Sequence, residues 1–326
     1  MNIILLFTLL AGGFIGWSIG ANDAANCVGA DVGSRKMTIR EAIIITCVFS
    51  FVGALLLGHR VIKTVGKGIV PLDKIDPNIA IMIALAACFG AGLWVFAATY
   101  FKLPVSTSHS IVGAVAGAGF AMDAPVIWGK LIDIFICWIL TPVGAAIIAL
   151  LLYHPFRKLF YTLVPRRMTD LFLKIFIWGT SIYLAFTWGA NDVANVTGVI
   201  AGAGAISSFK ATVFGALAIT IGVVTWGRRV IETVGFRITY LMPLMAIVAE
   251  IATGVNVHIY TMLGIPVSTS HSMVGAIFGV GLVRGVKSIQ KRVIRDIILA
   301  WSLTPFCSGL ISFVITKIIM LIKLII

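Results

Sequence analysis

Charge is scarce in this chain. Of its 326 residues only 11% are charged, and acidic residues are the rarer sign, with 12 Asp and Glu against 25 Lys and Arg. A soluble domain carries roughly 25% charged residues. Between 79 and 122 the one formal charge is Lys102. No water-soluble core calls for so long an apolar run, whereas a bilayer takes up about 20 residues per helix. Cysteine is sparse too. Cys27, Cys47, Cys88, Cys137 and Cys307 are scattered through apolar segments without a CxxC spacing, which excludes a disulfide framework or thiolate metal cluster and leaves them as small hydrophobic residues. No basic cluster precedes the first hydrophobic stretch, so it reads as a retained segment rather than a cleaved signal.

What is present is apolar. Hydrophobic residues make up 60% of the chain, the mean hydropathy is +1.08, and the expectation is an all-α polytopic membrane protein. The net charge of +13 does not point to nucleic acid, because the basic residues sit in short loops: Arg157, Lys158, Arg166 and Arg167 in one, Arg284, Lys287, Lys291, Arg292 and Arg295 in another. Such clusters suit cytoplasmic loops facing anionic lipid headgroups.

The chain is written twice. GANDAAN at Gly20–Asn26 returns as GANDVAN at Gly189–Asn195, and RVIKTVG at Arg60–Gly66 returns as RVIETVG at Arg229–Gly235, both 169 residues later. PVSTSHS at Pro104–Ser110 recurs unchanged at Pro266–Ser272, and WILTP at Trp138–Pro142 returns as WSLTP at Trp301–Pro305. Each copy holds five apolar segments, at 2–33, 38–58, 79–101, 104–121 and 128–153, then 171–202, 206–226, 240–263, 266–283 and 296–323. The domain reading is a first repeat over 1–153, a short basic cytoplasmic linker over 154–169 and a second repeat over 170–326.

An odd number of segments per copy makes the two copies enter the membrane from opposite sides. Loop charge agrees with such inverted repeats. The loop 31–41 holds Arg35, Lys36 and Arg40 while its partner near Ser207 holds only Lys210; the loop after the fourth segment holds Asp123 in one copy and five basic residues in the other. Under the positive-inside rule both termini lie outside. The external loop with Arg60, Lys63, Lys67 and Lys74 fits this less well, being only partly offset by Asp73 and Asp76. Segment 104–121 has the alternative of a re-entrant hairpin.

Two kinds of motif interrupt the apolar runs. Asn22, Asp23 and Asn26, with Asn191, Asp192 and Asn195, place carboxyl and amide groups deep in apolar sequence, where an Asp costs about 2.5–3.5 kcal/mol before it finds a partner. Gly20 and Gly189 suggest that the helices break there and expose backbone to a cavity. In PVSTSHS the proline stops the preceding helix, and a new half-helix is expected to begin near Ser110 or Ser272, its free amides and dipole forming an anion site. Ser106, Thr107, Ser108, Ser268, Thr269 and Ser270 add hydroxyl donors. His109 and His271 read as braces of the break or as direct ligands. Neither motif contains Lys or Arg, so a bound anion needs a countercharge. A cation on Asp23 and Asp192 supplies one, and hard oxygen ligands suit Na⁺; a protonated Asp, or an Asp accepting from a protonated oxyanion, is the alternative. Phosphate can donate such a bond and sulfate cannot. An intramembrane serine hydrolase would need one activated nucleophile, whereas the Ser–His pair occurs twice identically; a transporter is expected, not an enzyme. A passive anion channel is the other rival.

With these duplicated motifs in order, the chain resembles the inorganic phosphate transporter (PiT) family over essentially its full length. The resemblance implies inverted repeats counted as 10–12 transmembrane helices, a cell-membrane location, a homodimer, and symport of inorganic phosphate by alternating access, driven by sodium ions or, in other members, by protons. No cofactor is implied beyond the coupling ion. Carried over by position, phosphate would be held by Asn22, Ser106, Thr107, Ser108, Asn191, Ser268, Thr269 and Ser270, and sodium by Asp23, Asn26, Asp192 and Asn195. Two departures stand out. Ser50 occupies a place where sodium-coupled relatives often carry Glu, and Glu250 is an intramembrane acid whose counterpart in the first copy is Cys88. The loop between the halves is reduced to about 153–169.

Overall fold

Twelve α-helices account for almost all of the described residues, which are 3–101, 105–233, 242–283 and 291–325 of a computed structural model. Pro104, the end of RVIETVG, Arg284 and Lys287 lie outside them. In the first half run α1 (Ile3–Gly33), α2 (Ile39–Leu57), the short α3 (His59–Lys67), α4 (Pro77–Tyr100), α5 (Thr107–Ala121) and α6 (Trp128–Leu163). The second half repeats the order with α7 (Thr169–Gly202), α8 (Ser208–Gly222), α9 (Arg228–Thr233), α10 (Pro243–Met262), α11 (Thr269–Val283) and α12 (Lys291–Ile325). A five-residue π-helix, Val223–Gly227, carries α8 into α9.

Among the described residues eight helices are long and apolar enough to cross a membrane. The other two main elements, α5 and α11, have 15 residues each and reach about 22 Å at 1.5 Å per residue, short of a ~30 Å hydrocarbon core. The expected basic connector is largely helical, since α6 continues through Pro155 to Leu163 before a single 3₁₀ turn at Arg166–Met168.

Local chemistry sets several of the helix starts. Thr38 and Glu41 form a reciprocal capping box at α2, and Asp76 accepts from the amides of Asn78 and Ile79 ahead of Pro77 at α4, each pair satisfying amides that a helix start leaves free. In the loop between α3 and α4, Lys67 reaches Asp73 at 2.9 Å and holds its carboxyl below the usual range, so this basic loop is partly neutralised.

Burial does not follow amphipathic stripes, because these helices are apolar all round. Small residues decide the packing instead, as is usual between membrane helices. A Cβ on Gly113 would lie 2.2 Å from the Pro305 carbonyl oxygen and one on Gly275 2.1 Å from that of Pro142. Thus α5 lies tight on α12, and α11 tight on α6, at matching points of the two halves. Ile132, Ile136, Ile139, Val143, Ile147 and Leu151 form an exposed apolar stripe along α6, a surface suited to lipid.

One expectation is corrected. Neither GANDAAN nor GANDVAN breaks its helix: α1 and α7 run unbroken through 31 and 34 residues. The glycines serve close approach. A Cβ on Gly20 would sit 2.0 Å from the Ile219 carbonyl oxygen, and one on Gly189 2.0 Å from that of Ser50. A glycine pressed against a neighbouring backbone is compatible with a continuous helix when tertiary contact offsets its weak propensity.

Candidate functional site

The two PVSTSHS elements meet the two GAND helices at the centre of the molecule. Ser106 and Ser268 are the N-caps of α5 and α11, each hydroxyl accepting from the amide of the histidine three residues on, at 3.2 Å in both copies. The half-helices therefore begin at Thr107 and Thr269, three residues earlier than expected, because the first serine of each motif, not the last, supplies the cap. Their N-terminal turns and hydroxyls point at the carboxylates of α1 and α7.

The hydrogen bonds repeat from half to half. Thr107 Oγ1 donates to Asp23 Oδ2 at 2.7 Å, and Thr269 Oγ1 to Asp192 Oδ2 at 3.0 Å. Across the halves, Ser270 Oγ donates to Asp23 Oδ1 at 3.5 Å and Ser108 Oγ to Asp192 Oδ1 at 3.2 Å. Asn26 Nδ2 donates to both Asp23 (3.1 Å) and Ser270 (2.6 Å). Asn195 Nδ2 does the same to Asp192 (2.7 Å) and Ser108 (3.0 Å). Each aspartate thus receives a threonine from its own half and a serine from the other. Asp23 and Asp192 are 2% and 1% exposed, and no Lys or Arg is recorded against either among the described residues.

Asn22 and Asn191 act one step out. Asn22 Nδ2 donates to Thr99 Oγ1 at 2.7 Å, joining α1 to the end of α4. Asn191 Nδ2 donates to Thr261 Oγ1 at 2.9 Å while its Oδ1 accepts from the Val267 amide at 3.1 Å, fixing the segment that leads into α11. All twelve sequence-predicted residues are thereby gathered at one place. Eleven are buried and Asn26 is partly exposed.

The duplicated W-x-L-T-P motif has a role that sequence reading missed. A proline inside a helix removes the amide that would bond the carbonyl four residues back. Pro305 frees the Trp301 carbonyl in this way, and His109 Nδ1 takes it at 3.3 Å. Pro142 frees the Trp138 carbonyl, which His271 faces in a looser contact. His109 stacks on Trp138 at 3.6 Å and His271 on Trp301 at 3.5 Å, while the two imidazoles meet edge-on at 4.3 Å. The histidines brace the half-helices rather than touching the aspartates. A tryptophan four residues before an in-helix proline, repeated in both halves, was the available signal.

RVIKTVG also gains a function. Thr64 Oγ1 on α3 donates to the Gly264 carbonyl at 2.6 Å, pinning the loop ahead of the second PVSTSHS where Gly264 adopts φ +71°.

Buried carboxylates ringed by neutral hydroxyls and two helix N-termini, inside a bundle that spans a membrane, define a multi-pass solute transporter. Residues 19–312 match the profile described as the phosphate transporter family, and the chain belongs to that family. It is 35% identical to a Pyrococcus abyssi protein named "Putative phosphate permease", covering 98% of both chains. It is 27% identical to the chloroplastic inorganic phosphate transporter 2-1 of Arabidopsis thaliana, over 91% of this chain and 69% of that one. A solved structure titled "The sodium-dependent phosphate transporter" superposes with a TM-score of 0.87 at 28% identity, covering 98% of this chain and all of the other. Transport, not enzymatic turnover, is the activity of the family.

Proposed function

We propose that this chain is a sodium-coupled symporter of inorganic phosphate that works by alternating access. The observation that carries this reading is the reciprocal set of hydroxyl–carboxylate contacts, in which Thr107, Thr269 and Ser270 turn their protons to Asp23 and Asp192 and Ser108 divides its own between Asp192 and the Val267 carbonyl. While the carboxylates are unoccupied by a cation, those hydroxyls are engaged. A sodium ion on each aspartate takes over the countercharge, and the hydroxyls turn to donate to phosphate oxygens. Ion and anion binding then favour each other, as linkage requires. Asn195 Oδ1 is buried without a hydrogen-bond partner, a free hard oxygen beside Asp192 that suits sodium; Asn26 stands in the equivalent place beside Asp23.

Phosphate is held by the hydroxyls of Ser106, Thr107, Ser108, Ser268, Thr269 and Ser270 and the first-turn amides of α5 and α11, with Asn22 and Asn191 completing the set. The two repeats are of inverted topology, the chain ends lie outside the cell membrane, and access alternates as one bundle moves against the other around the shared site. The solved sodium-dependent structure, similar over 98% of this chain, supports sodium as the coupling ion. A homodimer follows from the family resemblance and is tested by mass measurement in detergent.

The deciding experiment uses purified protein in proteoliposomes. An inward sodium gradient drives accumulation of radiolabelled phosphate. Accumulation that ignores sodium and follows a pH gradient overturns sodium coupling in favour of protons, and saturable accumulation against a gradient separates a carrier from a channel.

A further inference from the structure

A second pair of buried acids lies away from the phosphate motifs. Asp31, near the end of α1, and Glu250, on α10, are 0% and 1% exposed. Consecutive residues of α7 each satisfy one oxygen: Ser181 Oγ donates to Asp31 Oδ2 at 2.6 Å, and Thr180 Oγ1 donates to Glu250 Oε2. The remaining oxygens, Asp31 Oδ1 and Glu250 Oε1, are buried with no donor, while the two side chains face each other in hydrogen-bond range. Two carboxylates so placed lack a donor between them. A single proton held by the pair supplies that donor, and one shared proton is the ordinary state of close carboxyl pairs.

Among the described residues, no basic side chain is paired with either acid. The charged group acting on each acid is the other acid, and Cys27, one turn away on α1, lies within reach of both. Several titratable groups on the packed elements are engaged elsewhere. On α7, Lys174 lies over the Trp178 ring. On α10, His258 pairs with Tyr183. On α11, His271 stacks on Trp301. On α2, Glu41 closes the cap with Thr38, and on α9, Arg228 pairs with Glu232.

We propose that Asp31 and Glu250 form a proton-binding dyad that joins α1 of the first half to α7 and α10 of the second. The proton is held while these helices are packed and is released when they part. Asp31 lies eight residues beyond Asp23 on the same unbroken helix, about 12 Å away at 1.5 Å per residue, so protonation bears on the helix that carries one coupling carboxylate. This assignment does not depend on which ion drives transport.

The test is infrared difference spectroscopy on the full chain in lipid nanodiscs, without phosphate. The wild type shows a carbonyl stretch of a protonated carboxyl that shifts in D₂O, persists at neutral pH and vanishes on strong alkalinisation. Asp31→Asn and Glu250→Gln, isosteric and made separately, each lose it while the amide band of helix is retained. Persistence of the full band in both variants overturns the proposal, as does its disappearance on adding NaCl at constant pH to a chain carrying Asp23→Asn and Asp192→Asn, which makes the pair a metal site. Because no transport is measured, failure of phosphate uptake leaves this outcome intact.

Discussion

A carboxylate inside a membrane is tolerated only when its surroundings answer it, and here Asp23 and Asp192 are answered by hydroxyls and amides. Replacing either with Asn keeps shape and most of the hydrogen bonds but removes the charge a cation needs. Asp23→Asn and Asp192→Asn are expected to lower sodium-dependent phosphate uptake roughly tenfold or more, the size of an ordinary coupling free energy of about 1–3 kcal/mol. Size-exclusion profiles should match wild type; unchanged sodium dependence in both variants would refute the assignment. Selectivity belongs to the same residues. Carboxylate acceptors around an oxyanion favour one that still carries a proton, and a site built for a hydrogen bond rejects a ligand lacking it. Arsenate should compete with phosphate in uptake, with sulfate weaker by at least about 100-fold; equal competition by sulfate would remove the protonated-oxyanion argument.

Between helices, the governing distances are those of glycine to backbone. Gly20→Ala places a methyl 2.0 Å from the Ile219 carbonyl oxygen, an overpacking that costs about 1–3 kcal/mol. The expected result is a lower melting temperature in detergent. Gly179→Ala on α7 meets nothing within 4 Å and should be neutral or stabilising by up to about 1 kcal/mol, since alanine is the better helix former. Pro305→Ala tests the brace: it restores an amide to the Trp301 carbonyl, displaces His109 Nδ1 and should cut phosphate uptake several-fold without lowering the melting temperature. Wild-type uptake would show that the His109 contact is dispensable. These elements also mark what a sequence can convey. The ten apolar segments, and the convergence of the twelve candidate residues on one place, were legible because duplication printed each motif twice and apolar length reports membrane helices directly. The continuity of α1 and α7 was not, because a glycine that breaks a helix and one that lets a backbone approach are the same letter; only Ile219 and Ser50 across the interface distinguish them. The start of α5 at Thr107 was ambiguous among three hydroxyl residues that can each cap. The Asp31–Glu250 pair was invisible for another reason: its members are far apart in the chain, and the repeat does not duplicate them.

At the scale of the whole molecule, the question is whether the two cation sites proposed at Asp23 and Asp192 would supply enough driving force. Carrying HPO₄²⁻ inward against 100 mV, inside negative, costs roughly 4.6 kcal/mol, at about 2.3 kcal/mol per charge. Under the proposed mechanism, two sodium ions, one for each of Asp23 and Asp192, would cancel that electrical cost and leave their own gradient as the driving force. A tenfold sodium gradient contributes about 1.4 kcal/mol per ion, so two ions support phosphate accumulation up to about 100-fold at equilibrium. One ion would support about tenfold from the chemical gradient alone, and the uncancelled negative charge would oppose entry whenever the interior is negative. The expectation is that proteoliposomes under a tenfold inward sodium gradient, with the potential clamped at zero by potassium and valinomycin, accumulate phosphate well beyond tenfold. A plateau at or below tenfold would mean that only one of the two aspartates carries a transported ion, despite their matching hydrogen bonds. Imposing an inside-negative potential without sodium should drive no uptake, because neither carboxylate then has a cation to release the hydroxyls to phosphate, and the field opposes entry of the anion.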